Sequence, residues 1–165
     1  MWEKLCPDLY IKNIYELNLD YLKKKGILGI LVDLDNTLLP WNKDSIDEKL
    51  KNWINECSSS GIKLCIVSNN KPRRIKDCAK KLNIPAVSGV IKPRKKAFLK
   101  ALKILNMNPE QVAVVGDQIF TDILGAKRLG LFAILVEPLN ENEFFGTKLI
   151  RIIEKIVIKK LKDPI

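Results

Sequence analysis

Four polar segments of this 165-residue sequence carry side chains that are typical of chemical sites. In chain order they are Asp33–Thr37, Ser68–Asn70, Lys92–Pro93 and Gly116–Gln118. They offer carboxylates, a hydroxyl, an ammonium and a further carboxylate. Neighbouring carboxylates repel one another unless a cation lies between them, and oxygen ligands without histidine or cysteine suit Mg²⁺. An ammonium beside such an ion would stabilise the charge that develops on oxygens during phosphoryl transfer.

The first of these segments carries the strongest chemical signal. Asp33 and Asp35 stand two residues apart at the end of a predicted strand, so alternation directs both carboxylates to one side. Asp117, one predicted strand further on, offers a third oxygen ligand. Lys92 would lie opposite with its positive charge, and Ser68 would add a hydroxyl donor. The set predicts a cation-rich pocket around a carboxylate nucleophile, with Mg²⁺ as its metal.

Short apolar runs alternate with helical segments along the chain, and each polar segment directly follows one of the runs. The predicted strands span about residues 27–32, 63–67, 86–90, 112–115 and 132–136. The predicted helices span about residues 45–58, 71–82, 94–105, 119–129 and 144–162, and a capping box from Ser45 to Glu48 opens the first. This alternation predicts a Rossmann-like, three-layer α/β/α fold around a central parallel sheet. Ligands of such sheets bind at the carboxyl ends of the strands.

Composition excludes several other kinds of site. The chain has no histidine, which rules out Ser-His-Asp catalysis, HExxH zinc sites and phosphohistidine chemistry. Its four cysteines form no CxxC pair, and unpaired thiols favour a reducing, cytoplasmic location. The formal net charge of +10 favours anionic partners. Residues 1–9 lack the apolar core of a signal peptide, and the uncharged stretches of the C-terminal half are too short to span a bilayer.

The four polar segments, with Asp122 shortly after the last, resemble the four motifs of the haloacid dehalogenase-like phosphatases in order and spacing. The resemblance covers about residues 27–136. The whole layout resembles the YqeG-type branch of subclass IIIA, in which a mitochondrial relative dephosphorylates phosphatidylglycerophosphate. We therefore expect a single domain over residues 1–165, with its core at about 27–136 and a basic helix at about 144–162. The stretches between the motifs are too short to hold a cap domain.

The resemblance implies roles for the first two motifs. Asp33 would be the nucleophile that forms an aspartyl-phosphate. Asp35 would protonate the leaving oxygen and then activate water for hydrolysis. Thr37 would brace the turn after the first strand, beside the substrate. Ser68 and the backbone of Asn69 would hold the phosphoryl oxygens.

The resemblance also implies how charge is arranged in the other two motifs. Lys92 would neutralise Asp33 and the transferring phosphate. Mg²⁺ would be bound by Asp33, by the backbone carbonyl of Asp35 and by Asp117. Asp122 would support the ion from beside these ligands. The same resemblance implies a phosphorylated substrate and an uncapped site that accepts large substrates or is closed by a partner.

The substrate and the surfaces leave alternatives open. The basic face of the predicted C-terminal helix, with Lys148, Arg151, Lys155 and Lys159, would suit an anionic membrane, which would make the protein peripheral on its inner face. The N-terminal segment is either sheet cover or a second lipid contact.

The predicted function is a Mg²⁺-dependent phosphomonoester hydrolase, with phosphatidylglycerophosphate as one candidate substrate. The alternative is a non-enzymatic adaptor that binds anionic lipid or RNA, with nucleic acid the less favoured partner. A receiver domain fits less well, since it has no use for the second and fourth motifs. The oligomeric state stays open.

Overall fold

A single parallel sheet organises the computed structural model, which describes residues 2–41, 43–140 and 155. Within these residues the sheet has six strands: Leu9–Ile11 (β1), Gly29–Val32 (β2), Lys63–Val67 (β3), Ala86–Val87 (β4), Val112–Gly116 (β5) and Phe132–Val136 (β6). Their order across the sheet is β1-β6-β5-β2-β3-β4, and every neighbouring pair is parallel. The predicted parallel sheet is confirmed.

Helices cover both faces of this sheet. They are Leu19–Lys24 (α1), Glu48–Ser59 (α2), Pro72–Leu82 (α3), Lys95–Leu105 (α4) and Leu124–Lys127 (α5). One core lies under α1, α2 and α3, and the other lies under α4 and α5. Alternation along β2 serves both cores, because Ile30 and Val32 point into the first and Leu31 into the second. The predicted three-layer α/β/α architecture is confirmed, and the described connections between strands carry no cap domain.

The sheet reverses its winding direction at β2. From β2 the chain proceeds outward to β3 and β4, then returns through α4 to β5 on the other side of β2. The carboxyl ends of β2 and β5 therefore flank a crevice from which the two connections diverge, and open α/β sheets bind their ligands there. Asp33 and Asp117 directly follow these two strands.

Three local features differ in detail from the predictions, and the C-terminal helix cannot be compared. The predicted strands omitted β1, a three-residue edge strand that pairs with β6 through Leu9 and Ile134. The cap of α2 is Asp47, whose side chain accepts a hydrogen bond from the backbone of Leu50 at 2.8 Å, so Ser45 lies before the helix. The helix predicted from Ile119 begins as a π-helical turn that precedes α5. The helix predicted at 144–162 lies outside the described residues, apart from residue 155.

In the described part of the chain, no helix combines the length and the apolar character that crossing a bilayer requires.

Candidate active site

A cavity of about 160 Å³ lies at the carboxyl ends of β2, β3 and β5. Most of its lining comes from the polar segments that follow these strands and from the loop after β4. The lining residues are Asp33, Asp35, Asn36, Trp41, Ser68, Asn69, Asn70, Lys92, Gln118 and Thr121. The predicted sheet edge is therefore the edge that carries the site, and side chains from all four motifs lie around one opening.

An inner cluster of four buried charged residues forms the base of this site: Asp33, Lys92, Asp117 and Asp122. The Lys92 ammonium donates to Asp33 Oδ1 at 2.8 Å and to Asp122 Oδ1 at 2.5 Å. Burial alone would lower the pKa of Lys92, but the carboxylates of Asp122 and Asp33 raise it above its ordinary value. Burial raises the pKa of Asp122 to about 6, with Lys92 opposing this shift and Asp33 adding to it. The ammonium thus holds two buried carboxylates together.

The inner cluster also fits a divalent cation. Asp33, Asp117 and Asp122 each place a carboxylate oxygen within 4.8 Å of the other two, and all three residues are buried. An all-oxygen donor set of this kind suits Mg²⁺. The side chain of Asp35 is not in this group, which leaves its backbone carbonyl for the metal-binding role predicted for that residue.

Two of the three carboxylates that could bind the cation, those of Asp117 and Asp122, are each held by a neighbouring donor. Thr37 Oγ1 donates to Asp117 Oδ1 at 2.9 Å, and the backbone N–H of Gln118 donates to Asp122 Oδ2 at 3.2 Å. Thr37 is buried and is not among the residues that line the cavity, so it supports Asp117 without lining the cavity itself. Its direct contact with a substrate stays a prediction.

The approach of Asp122 to the site depends on a glycine. The π-helical turn Ile119–Ile123 folds the Asp122 carboxylate back over the end of β5, against Gly116. A Cβ atom at Gly116 would lie 2.2 Å from the Asp122 carboxylate, far inside van der Waals contact. Residue 116 must therefore be glycine for Asp122 to reach Lys92.

Asn69 fixes the backbone that presents Lys92. Its Oδ1 accepts a hydrogen bond from the Lys92 N–H at 2.7 Å, and its Nδ2 donates to the Lys92 carbonyl at 3.2 Å. This two-bond pairing joins the end of β3 to the loop after β4. Asn69 was predicted to use its backbone on phosphoryl oxygens, and the structure adds a positioning role for its side chain. Ser68 is buried in the cavity wall, where its Oγ accepts from the Asn70 N–H at 3.3 Å.

An outer cluster lies at the mouth of the cavity and consists of Asp35, Asp44, Asn70 and Arg74. Asn70 Nδ2 donates to Asp35 Oδ2 at 2.6 Å. Arg74 donates to Asp35 Oδ1 through Nη2 at 2.8 Å and through Nε at 3.2 Å. The Nη1 group of Arg74 donates to Asp44, and its Nη2 also donates to the Lys43 carbonyl at 3.1 Å. The predicted acid/base is therefore held on both of its oxygens.

The loop after β2 turns sharply over the cavity. Asn36 adopts φ 62°, a left-handed conformation that asparagine tolerates better than most residues. Its Oδ1 accepts from the Trp41 N–H at 3.2 Å, and its own N–H donates to the Leu39 carbonyl at 2.7 Å. These bonds direct the chain so that Trp41 forms part of the cavity wall.

Sequence reasoning placed the inner cluster but missed the contacts of several residues at the cavity mouth. Asn70 was quoted within a motif without a role, and Arg74 was one of many basic residues on α3, considered only for steering an anionic substrate. Asn70 lies before α3 and Arg74 lies in its first turn, so no helical spacing pairs them, and the fold alone brings both to Asp35. Trp41, Gln118 and Thr121 line the cavity without any sequence signal.

Comparison with known proteins agrees with this geometry. A family model of haloacid dehalogenase-like hydrolases matches residues 7–130. The probable phosphatase YqeG of Bacillus subtilis (strain 168) is 38% identical over 156 residues, which are 94% of this chain and 91% of that protein. The chloroplastic/mitochondrial phosphatidylglycerophosphate phosphatase 1 of Arabidopsis thaliana is 25% identical over 166 residues, which cover 94% of this chain and 48% of that protein.

A solved structure extends the comparison to the fold. An uncharacterized protein from Listeria monocytogenes serotype 4b superimposes with a TM-score of 0.56 at 18% identity, over 83% of this chain and 100% of that one. At this level of identity the likeness concerns the arrangement of strands and helices alone.

Proposed function

This chain belongs to the haloacid dehalogenase-like hydrolases and is one of their phosphatases, and on that premise we propose that it is a Mg²⁺-dependent phosphomonoester hydrolase working through an aspartyl-phosphate. The observation that carries the proposal is the ion pair between Lys92 and Asp33 in a cavity that Asp35 also lines. A buried carboxylate beside a buried ammonium is suited to attack a phosphoryl group whose charge the ammonium offsets. The earlier alternative of a non-enzymatic adaptor is not favoured.

In the first half-reaction, a carboxylate oxygen of Asp33 attacks the phosphorus of the substrate. The bond between phosphorus and the leaving oxygen breaks, and that oxygen takes the proton of the Asp35 carboxyl group to leave as an alcohol. Lys92 holds Asp33 in place and offsets the charge on the transferring group. Ser68 and the backbone of Asn69 supply donors to its outer oxygens.

In the second half-reaction, the Asp35 carboxylate takes a proton from a water molecule. The water oxygen attacks the same phosphorus, the bond between Asp33 and phosphorus breaks, and inorganic phosphate is released. Asp33 is again a carboxylate and Asp35 again carries its proton, so both residues return to their starting states. Each turnover therefore consumes one phosphomonoester and one water molecule and releases one alcohol and one phosphate.

The carboxylates of Asp33, Asp117 and Asp122, with the carbonyl of Asp35, would hold Mg²⁺. When bound, the ion supplies positive charge to the phosphoryl oxygens and separates carboxylates that would otherwise repel one another. Thr37 and the Gln118 N–H orient Asp117 and Asp122 toward this position. Buried, oriented oxygen ligands are the feature of this chain that fits the ion.

The test is phosphate release from a panel of phosphomonoesters, with Mg²⁺ and with excess chelator. We expect release with Mg²⁺, none with chelator, and none from Asp33→Asn in either condition. Acid-quenched wild-type enzyme should carry phosphate in an alkali-labile form that Asp33→Asn lacks. Full activity in excess chelator would overturn the metal requirement, and labelled Asp33→Asn would overturn the nucleophile.

We further propose a lipid phosphomonoester at an anionic membrane as the substrate class. The similarity to a phosphatidylglycerophosphate phosphatase along 94% of this chain supports the proposal. A small cavity open to solvent supports it as well, since the bulk of a lipid substrate would stay outside. Ile91 directly precedes the cavity-lining Lys92 in the chain and is 59% exposed, which offers an apolar side chain to an interface.

Vesicles of anionic lipid that contain phosphatidylglycerophosphate test this substrate class against soluble glycerol phosphate. We expect kcat/KM on the lipid to exceed that on the soluble ester by at least about tenfold. A variant with Lys148, Arg151, Lys155 and Lys159 changed to glutamine should lose vesicle binding, because each cation near an anionic surface contributes about 1 kcal/mol. Its rate on the soluble ester should stay unchanged. Equal kcat/KM on both substrates would contradict the lipid proposal and leave a soluble phosphomonoester as the alternative.

A further inference from the structure

Arg74 contacts the acid/base residue more closely than any role in attracting substrate would require. Its side chain is 16% exposed, and that of Asp35 is 13% exposed, so most of both lies away from bulk water. Two of its nitrogens donate to one and the same oxygen, Asp35 Oδ1, at 2.8 and 3.2 Å. Two charged N–H groups converge on this one oxygen while Asn70 holds the other, so both ends of the carboxylate are fixed and Oδ1 is held the more firmly.

The two oxygens of Asp35 have different neighbours. Oδ1 is held by Arg74, which does not line the cavity, whereas Oδ2 is held by Asn70, which does. Oδ2 therefore lies beside a residue that lines the cavity, and Oδ1 lies beside one that does not. An amide that donates one hydrogen bond can be displaced by the incoming leaving group more readily than a guanidinium that makes two charged bonds.

Arg74 is itself held from its other side. Its Nη1 donates to Asp44, and its Nη2 donates to the Lys43 carbonyl at 3.1 Å, so the loop before α2 holds the guanidinium against Asp35. Burial lowers the pKa of Arg74, but the hydrogen bonds and charge of Asp35, together with the charge of Asp44, raise it above its ordinary value. The same loop carries Trp41 over the cavity.

We propose that Arg74 is a positioning residue that holds Oδ1 of Asp35, so that Oδ2 exchanges the proton with the leaving oxygen, and that Asp44 holds Arg74 in turn. The proposal rests on the proposed phosphatase function, because it assigns a role within the first half-reaction. Nothing in it requires Arg74 to touch the substrate. A lysine could keep the positive charge here but would lack the fork that engages Asp35 and Asp44 together.

Leaving groups that differ in their need for a proton separate positioning from a merely structural role. A nitrophenolate departs from phosphorus without protonation, whereas the alkoxide of an alkyl phosphate departs only as its oxygen is protonated. The constant kcat/KM reports the steps up to that departure. A misplaced Asp35 should therefore lower kcat/KM for an alkyl phosphate and leave that for p-nitrophenyl phosphate almost unchanged.

The experiment compares four variants with the wild type on glycerol phosphate and on p-nitrophenyl phosphate. Arg74→Gln should lower kcat/KM on the alkyl ester by about 30-fold and on the aryl ester by less than about threefold. Arg74→Lys should recover part of this loss. Asp44→Ala, on an exposed loop residue, should cost about fivefold on the alkyl ester alone. Lys76→Gln, which removes one exposed cation from the same helix, should leave both constants unchanged.

Each outcome bears on a defined part of the proposal. Equal losses on both esters in Arg74→Gln, or no loss on either, would overturn the positioning role. If Arg74→Gln fails to fold, Arg74→Lys and Asp44→Ala still carry the same comparison. A loss in Arg74→Gln without any loss in Asp44→Ala would overturn the part assigned to Asp44. Wild-type enzyme that releases no phosphate from either ester would instead count against the proposed function.

Discussion

The two charged clusters of the active site differ in their depth below the surface. In the inner cluster the side chains of Lys92, Asp33 and Asp122 are 3%, 8% and 1% exposed. In the outer cluster Arg74 and Asp35 are 16% and 13% exposed, and Asp44 is 65% exposed. In each cluster the cation forms ion pairs with two carboxylates, so these pairs differ chiefly in their exposure to water.

The two depths suit two different roles of a charged group. A charge that must stabilise a transferring phosphoryl group acts most strongly where water is excluded and where it needs no reorganisation. A carboxyl group that gives up and regains a proton needs access to the leaving oxygen and to water. We therefore expect substitutions in the inner cluster to remove most of the activity. Substitutions in the outer cluster should lower the activity by graded amounts.

The inner cluster should fail most completely at Asp33, the proposed nucleophile. An asparagine at residue 33 cannot attack phosphorus, so Asp33→Asn should lower kcat by roughly four orders of magnitude or more. Phosphate release under saturating Mg²⁺ measures the loss. Asp77→Asn, a matched change at an exposed position on α3, serves as the control and should retain wild-type rates. Comparable rates in the two variants would mean that depth has no bearing on function.

Lys92→Met should weaken both activity and folding. The change leaves Asp33 and Asp122 buried without their cation, which costs roughly 3 kcal/mol of unfolding free energy and about a thousandfold in kcat. Urea denaturation measures the first quantity, and excess Mg²⁺ should restore part of it by binding the remaining carboxylates.

Lys127→Met is the matched control for that experiment. Lys127 pairs with Asp8 at 2.5 Å, but the two side chains are 23% and 29% exposed, and such pairs contribute less than about 1 kcal/mol. A loss at Lys127 as large as that at Lys92 would show that burial does not separate the two ion pairs.

At the outer cluster, Asp35→Asn should slow both half-reactions while leaving substrate affinity largely intact. We expect kcat to fall by about two to three orders of magnitude, which is the usual contribution of a general acid/base. The loss should be smaller than in Asp33→Asn, since nucleophile and metal group remain. Single-turnover release of the alcohol from an alkyl phosphate measures the first step, and loss of phosphate from the acid-quenched enzyme measures the second. An unchanged rate of the second step would remove Asp35 from water activation.

A smaller effect than at these charged residues is expected at Asn69, whose side chain holds the Lys92 backbone. Asn69→Ala removes both hydrogen bonds that hold the Lys92 backbone, and each such bond contributes about 1 kcal/mol. The unfolding free energy should fall by about 2 kcal/mol and kcat by about tenfold, with KM for phosphate esters changed little. A rise in KM at constant kcat would indicate instead that the side chain binds substrate.

Much of this molecule could be predicted from sequence because its signals are local. Continuous apolar runs mark buried parallel strands, and the polar residues that end them must gather at one edge. That reasoning places Asp33, Lys92 and Asp117 together from the sequence alone. The same reasoning did not predict the short strand β1, because three residues at a half-buried edge produce no pattern that differs from a loop.

The outer cluster could not be predicted for a different reason. Arg74 is one of six basic residues on or beside α3, and the other five are exposed to water. Nothing in its local sequence sets it apart, because its partners Asp35 and Asp44 are distant in the chain. The cap of α2 shows the same limit on a smaller scale, since Ser45 and Asp47 are both good capping residues and the loop geometry selects the second.

The pairing of β1 with β6 has a consequence for the order in which the protein is made. Leu9 emerges from the ribosome early, yet its neighbour in the sheet, Ile134, is among the last residues of the described core to be synthesised. During translation, the half-buried side chains of β1 therefore cannot pair until β6 has been synthesised, whereas β2, β3 and β5 can assemble earlier. The outer edge of the sheet can close only after residue 136 has left the exit tunnel, which makes this the contact with the largest loop to close.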